Sequence, residues 1–175
     1  MIENKLKFVI RDIPNFPKEG IMFKDITPIL LDSKLCTEVT ATIYNKFKDE
    51  NIGAVVGIES RGFLFGLPLA EKLNVPFIPI RKKGKLPGDT IAYSYDLEYG
   101  SSTVEIHSGD MPKGANVIIH DDLLATGGTA IAAAELVKQS GANVKAFAFL
   151  VELGFLDGRN KLEPYTKEIQ SLVQY

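Results

Sequence analysis

The residues whose types and spacing best suit chemistry lie in Asn116-Val117-Ile118-Ile119-His120-Asp121-Asp122-Leu123-Leu124-Ala125-Thr126-Gly127-Gly128-Thr129-Ala130. The order is apolar strand, acidic pair, glycine loop, helix start. In parallel α/β sheets ligands bind beyond the C-terminal ends of strands, so Asp121 and Asp122 are expected at the rim of a crevice. Two adjacent carboxylates there suit a sugar diol or hydrated Mg²⁺. The following Ala125, Thr126, Gly127, Gly128 and Thr129 offer backbone N–H groups that glycine lets turn inward, two hydroxyls, and the positive end of a helix. That combination makes a cradle for a monophosphate. It matches neither G-x-x-x-x-G-K-[ST] nor G-x-G-x-x-G, which argues against a P-loop NTPase and a dinucleotide-binding Rossmann domain. As an isolated pattern, the stretch is also compatible with a solvated strand end and a capped turn.

Such a loop must be held by a strand before it and a helix after it, and the rest of the chain repeats that alternation. Leu35, Val39, Ile43 and Phe47 recur at spacing four behind the cap candidate Asp32-Ser33, which predicts an amphipathic helix over about 34 to 50, ended by Asn51-Ile52-Gly53. Ala54-Val55-Val56-Gly57-Ile58 is the short apolar run of a strand covered on both faces, and a helix over about 62 to 73 follows. Strands are also expected over Val75 to Arg81, Asn116 to His120 and Val144 to Val151, with a helix near 130 to 140 closed by Gly141. The fold class is therefore α/β, a central parallel sheet flanked by helices. Between Lys82 and Met111 the pattern changes, with Ile91, Tyr93, Tyr95, Leu97 and Tyr99 alternating with mostly polar residues, as do Val104 and Ile106. This predicts a β-hairpin or long flap, of the kind that usually forms a lid or binding loop, and we expect it to move.

The stretch around Asp121 resembles the 5-phosphoribosyl-1-diphosphate (PRPP) binding motif of the type I phosphoribosyltransferases: a hydrophobic strand, two acids and a small-residue loop ending Thr-Gly-Gly-Thr. Four further segments resemble one branch, the adenine phosphoribosyltransferases. They are Phe16-Pro17-Lys18-Glu19-Gly20-Ile21-Met22-Phe23-Lys24-Asp25-Ile26-Thr27-Pro28, Gly57-Ile58-Glu59-Ser60-Arg61-Gly62-Phe63, Arg81-Lys82-Lys83-Gly84-Lys85-Leu86-Pro87-Gly88 and Ser94-Tyr95-Asp96-Leu97-Glu98-Tyr99-Gly100. Together they run in order over nearly the whole chain.

The resemblance implies one domain over 1–175, with a hood or base-recognition segment over about 1–30 and a flexible β-hairpin flap over about 82–111. It implies a transfer in which adenine displaces pyrophosphate from PRPP with Mg²⁺, giving AMP, in a homodimer. Breaking the C1–pyrophosphate bond builds positive charge on the ribose and negative charge on the leaving group, so cations and carboxylates must sit close together. Arg61 and Glu98 are the catalytic candidates. Arg61, in a loop that in the family often contains a non-proline cis peptide, would grip pyrophosphate together with Glu59, Ser60, Lys82 and Lys85. As a pattern, Arg81 to Lys85 is simply a solvated charge run; as the opening of a flap, it would close over pyrophosphate and exclude water.

Glu98 would reach the purine from the flap and serve proton transfer at the imidazole ring, with Tyr99 supporting it. Met22, Phe23 and Lys24 would form the adenine site, Phe23 stacking on the base while backbone groups read its edge. The ribose and any associated Mg²⁺ would lie by Asp121 and Asp122, the metal held through PRPP and water. Two positions depart from the family: Lys24 stands where arginine is frequent, and His120 where an apolar residue is usual. From its position, His120 is expected to be a satisfied, partly buried histidine, and Cys36 carries no role.

Composition agrees with a soluble globular chain. Of 175 residues, 45% are hydrophobic and 24% charged, and the net charge of −2 gives no field to hold nucleic acid or an anionic membrane. One cysteine and no apolar leader after Met1 predict a cytoplasmic protein. Two alternatives stand beside an adenine enzyme. One is a transferase for another purine, xanthine or hypoxanthine. The other is a non-catalytic PRPP-sensing regulator, for which the roughly 15 residues before Phe16 are too few to form a helix-turn-helix.

Overall fold

Apolar strands alternate with amphipathic helices along the chain, and the computed structural model, which describes residues 1–96 and 100–175, arranges them in layers. In order they are α1 (Ile2–Val9), β1 (Arg11–Pro14), β2 (Met22–Asp25), α2 (Thr27–Leu30), α3 (Ser33–Phe47), β3 (Ala54–Ile58), α4 (Gly62–Leu73), β4 (Phe77–Lys82), β5 (Thr90–Asp96), β6 (Ser101–His107), β7 (Asn116–Leu124), α5 (Gly128–Gln139), β8 (Asn143–Glu152), α6 (Gly158–Leu162) and β9 (Ile169–Gln174). Among the described residues the main sheet runs β5-β6-β4-β3-β7-β8-β9. Strands β4, β3, β7, β8 and β9 pair in parallel, whereas β6 joins β4 antiparallel and β5 joins β6 antiparallel. A separate two-stranded antiparallel sheet pairs β1 with β2.

Strand β3 sits mid-sheet and is buried at every residue, as its unbroken apolar run requires. Its side chains alternate: Val55 joins the core beneath α3 and α4, while Ala54 and Val56 join the core beneath α5. The alanine run Ala132-Ala133-Ala134 lets α5 lie close on the sheet. Asp32 caps α3, accepting from the N–H of Lys34 at 2.9 Å and of Leu35 at 3.1 Å. No helix among the described residues is long and apolar enough to cross a membrane.

The predicted strands and helices are present, with differences that bear on the site. Strand β7 runs on through the acidic pair to Leu124, so Asp121 and Asp122 belong to the strand rather than to the loop after it. Helix α5 starts at Gly128, two residues before the expected Ala130. The expected flap is a hairpin of β5 on β6, pairing Thr90 with His107 through to Asp96 with Ser101. Residues Leu97, Glu98 and Tyr99, and with them the sequence-based roles of Glu98 and Tyr99, lie outside the described residues.

Candidate active site

The C-terminal ends of β3 and β7, the start of α5 and the inner face of β5 enclose a pocket of about 360 Å³. From the loop after β3 it takes Glu59, Ser60 and Arg61, from β4 Lys82, and from β7 the carboxylates Asp121 and Asp122; Ala125 and Thr129 close the far side. Thr126, Gly127 and Gly128 line an adjoining cavity of about 80 Å³ that also takes in Asp121, Ala125 and Thr129. The sugar and phosphate candidates therefore share one continuous surface.

Asp122 is tied to Arg61 across the pocket floor, the Nε donating to Oδ2 at 3.0 Å, and only 6% of the Asp122 side chain is exposed. Its backbone N–H donates to Asp121 Oδ1 at 2.9 Å. Asp121 opens partly to the pocket but is walled by protein on its other sides. Burial pushes the Asp121 carboxyl well above the ordinary carboxylate range, and the Asp122 charge beside it adds to the effect. Burial raises Asp122 as well, against the opposing pull of the Arg61 guanidinium. Two crowded acids with one cation are short of positive charge, and a ligand that brings hydroxyl donors or a cation relieves this.

The phosphate cradle is set by backbone shape. Gly127 caps α5 at φ +84°, a left-handed conformation that glycine adopts without strain. Beneath it lies Gly158 at the start of α6, so close that an added Cβ would sit 2.2 Å from the Ala125 carbonyl oxygen and 3.1 Å from the Gly127 nitrogen. Both neighbours are backbone, so a side chain at 158 must displace the loop. Lys161 Nζ donates to the Thr126 carbonyl at 3.1 Å, adding a cation beside the loop. From the opposite side the Tyr95 hydroxyl meets Thr129 Oγ1 at 3.0 Å.

The Glu59–Ser60 peptide is cis, at the loop for which the resemblance implied such a bond. Glu59 faces the basic run rather than an open anion site: it accepts from Lys85 Nζ at 2.7 Å, Lys82 N at 3.0 Å and Arg81 Nε at 3.3 Å. Burial works against its ionisation, but those donors outweigh it and hold the carboxyl down at about 2. Buried Glu105 grips the same turn, accepting from Gly84 N at 3.0 Å and Leu86 N at 3.2 Å. The basic turn is thus fastened by two acids. Lys82 lines the pocket, whereas Lys85 is brought to Glu59 and not to the pocket lining.

In the base segment, the Phe23 ring lies 5.2 Å from the Arg61 guanidinium carbon and edge-on to Phe16 at 5.1 Å. Arg61 therefore connects the segment to the acidic pair. Met22 is 48% exposed. The Lys24 side chain is placed away from the Phe23 face. Side chains alternate along β2, so Lys24 turns opposite to Phe23, pairs with Asp12 at 2.6 Å and lies 3.7 Å from the centre of the Tyr175 ring. Its amine belongs to the packing of the C-terminus, not to the base site. His120 also differs from expectation: it is fully buried, neither ring nitrogen has a hydrogen-bond partner, and burial lowers it to about 4. The Ala148 backbone beside it opposes that shift without making a bond of normal geometry.

Comparison with known proteins fits this geometry. The phosphoribosyl transferase domain model matches residues 24–172. An adenine phosphoribosyltransferase of Cytophaga hutchinsonii is 48% identical over 175 residues, covering all of this chain and 97% of that one. The crystal structure of adenine phosphoribosyltransferase from Thermoanaerobacter pseudethanolicus superimposes with a TM-score of 0.95 at 47% identity, covering 100% of both chains. This chain belongs to the adenine phosphoribosyltransferase family. A yeast member, from Saccharomyces cerevisiae, solved with an imino-altritol bisphosphate and adenine, matches at TM-score 0.90 and 44% identity over 98% of each chain.

Three site residues escaped the sequence reading. Tyr95 was visible only as one aromatic in an alternating strand, and nothing local says that its hydroxyl meets Thr129. Gly158 and Lys161 reach the cradle from more than 30 residues downstream, and no spacing rule links them to it.

Proposed function

We infer that this chain transfers the 5-phosphoribosyl group of PRPP to adenine, giving AMP and pyrophosphate. The observation that carries the reading is the Asp121–Asp122 pair, with Asp122 buried and joined to Arg61, at the end of β7 and running directly into the phosphate cradle. In the reaction an adenine ring nitrogen bonds to ribose C1, the C1–pyrophosphate bond breaks, and the nitrogen loses its proton. Asp121 and Asp122 would accept from the ribose hydroxyls, fixing the sugar and stabilising positive charge as it builds on the ring. Ala125 to Thr129 would anchor the 5′-phosphate and so set the position of C1.

Arg61, the amides of the Glu59–Ser60–Arg61 loop and Lys82 would take the pyrophosphate, with Glu59 and Lys85 shaping that wall. Phe23 offers a face for the base, beside Arg61. Glu98 remains the proposed proton acceptor, with Tyr99 beside it. The donor set fits Mg²⁺ carried by substrate. Asp121 and Asp122 supply hard oxygens, but among the described residues no group of three or more His, Cys, Asp or Glu is arranged to hold a metal, so its remaining ligands would be PRPP and water. Once bound, Mg²⁺ would neutralise charge developing on the pyrophosphate.

A homodimer is proposed through the apolar surface of α2 and α4 and the residue after α2, where Leu30, Leu31, Leu64 and Leu67 are exposed, Leu31 by 83%. A cytoplasmic setting is proposed from the single cysteine. The test of the activity is pyrophosphate release from PRPP and Mg²⁺ with adenine, hypoxanthine, guanine or xanthine supplied separately, each nucleotide being identified. Release with adenine, yielding AMP, is the expected result. Release with another base alone would overturn the substrate, and PRPP binding without release would favour the sensing role.

A further inference from the structure

The hairpin and the phosphate cradle come from different parts of the fold, and Tyr95 joins them. Tyr95 stands in β5 with its ring against the start of α5, where a Cβ added to Gly128 would lie 3.5 Å from the ring. Its hydroxyl meets Thr129 Oγ1 at 3.0 Å, and both side chains line the pocket. Each hydroxyl carries one proton and can accept as well as donate, so the pair has two arrangements. If Thr129 donates to Tyr95, its proton is unavailable to a ligand in the cradle. If Tyr95 donates, the Thr129 proton is free for a phosphate oxygen, and the two bonds in series strengthen one another.

We propose that Tyr95 is a positioning residue that reads the occupancy of the phosphate cradle and relays it to the β5–β6 hairpin. A phosphate in the cradle takes the Thr129 proton, fixes Tyr95 as the donor and so tightens the seat of β5 on α5. The hairpin would then be ordered by the sugar phosphate before any base arrives. The surroundings suit such a coupling. The basic turn leading into β5 is already fastened by Glu59 and Glu105, and His107 at the end of β6 bonds to the Pro87 carbonyl at 2.8 Å. With its base anchored, the hairpin is joined to the cradle by the Tyr95 hydrogen bond to Thr129. This rests on the reading of residues 125–129 as a 5′-phosphate site.

The test uses ribose 5-phosphate, which carries the phosphate but neither pyrophosphate nor base. Its affinity is measured by calorimetry, and amide hydrogen exchange over 90–96 and 101–107 is followed with and without it, in the wild type, Tyr95→Phe, Thr129→Val, Thr129→Ser and the control Tyr93→Phe. The proposal expects ribose 5-phosphate to slow exchange in the hairpin of the wild type, Tyr93→Phe and Thr129→Ser. It expects little slowing in Tyr95→Phe or Thr129→Val. KM for PRPP should rise about three- to tenfold in Tyr95→Phe, the loss of one hydrogen bond, with a smaller change in kcat. Adding Thr129→Val to Tyr95→Phe should raise it by less than the product of the two single effects.

Equal slowing in Tyr95→Phe and wild type, or multiplicative effects in the double variant, would overturn the relay. If ribose 5-phosphate binds the wild type without any hairpin response, the relay fails and the phosphate site stands. If it does not bind at all, the phosphate reading falls and takes the relay with it.

Discussion

The phosphate cradle and the base segment handle parts of the same reaction but are built in opposite ways. The cradle is one unbroken run, Asp121 to Thr129, whose shape follows from a strand end, a left-handed glycine and a helix start. The base segment is a pair of four-residue strands, and its side chains are oriented by distant partners: Phe23 by Arg61 and Phe16, Lys24 by Asp12 and Tyr175. Phosphate is common to many substrates, and backbone amides bind it without side-chain choice. Base selection depends on side chains, and here the assembled fold decides which of them face the ligand.

Arg61 belongs to both regions, so its removal should have the largest effect. Arg61→Ala should lower kcat/KM by about 10²–10³-fold, as expected on deleting a group that stabilises developing charge. It should also lower Tm, because Asp122 is left buried without its cation; a variant within tenfold of wild type would separate the two regions. Gly158→Ala attacks the cradle alone. Steady-state kinetics should show KM for PRPP rising about ten- to a hundredfold while KM for adenine moves little, since a displacement near 1 Å costs on that scale.

Glu59→Gln loosens the basic turn next to the cradle. The Glu59 carboxyl is held at about 2 against an ordinary 4.5, so its contribution to stability is complete above pH 4.5 and is lost as pH falls towards 2. Calorimetry at pH 7 should show Tm about 2–4 °C below wild type, the shift of ~1 kcal/mol in a domain this size. The gap should narrow as pH falls below 4.5. Lys24→Ala should have the smallest effect on catalysis, changing KM for adenine less than about twofold while costing ~1 kcal/mol of stability through the lost Asp12 and Tyr175 contacts. A large rise in KM for adenine would return Lys24 to the base site and remove the contrast between the regions.

What could be read from the chain follows the same division. Strand β3 and helix α4 were legible at their observed bounds, because an unbroken apolar run is a local signal and the strand–helix alternation places a helix directly after it. The acidic pair and glycine loop were legible for the same reason. Strand β1, exposed at all four residues, carries no hydrophobic pattern to read. Strand β9 is recognisable only once β8 is there to pair with it. The Lys24 side chain could not be assigned because its partners are 12 and 151 positions away in the sequence, and only the assembled fold brings them together. Gly158 was invisible because its importance lies in a backbone contact across the fold.

The central claim is that the ribose and 5′-phosphate of PRPP bind along Asp121 to Thr129. Calorimetric titration of PRPP, with Mg²⁺ present, into the wild type and into Asp121→Asn with Asp122→Asn tests it most directly. Two carboxyl acceptors are replaced by amides of the same shape, and the account predicts an affinity at least about tenfold weaker in the variant. An unchanged affinity would contradict it.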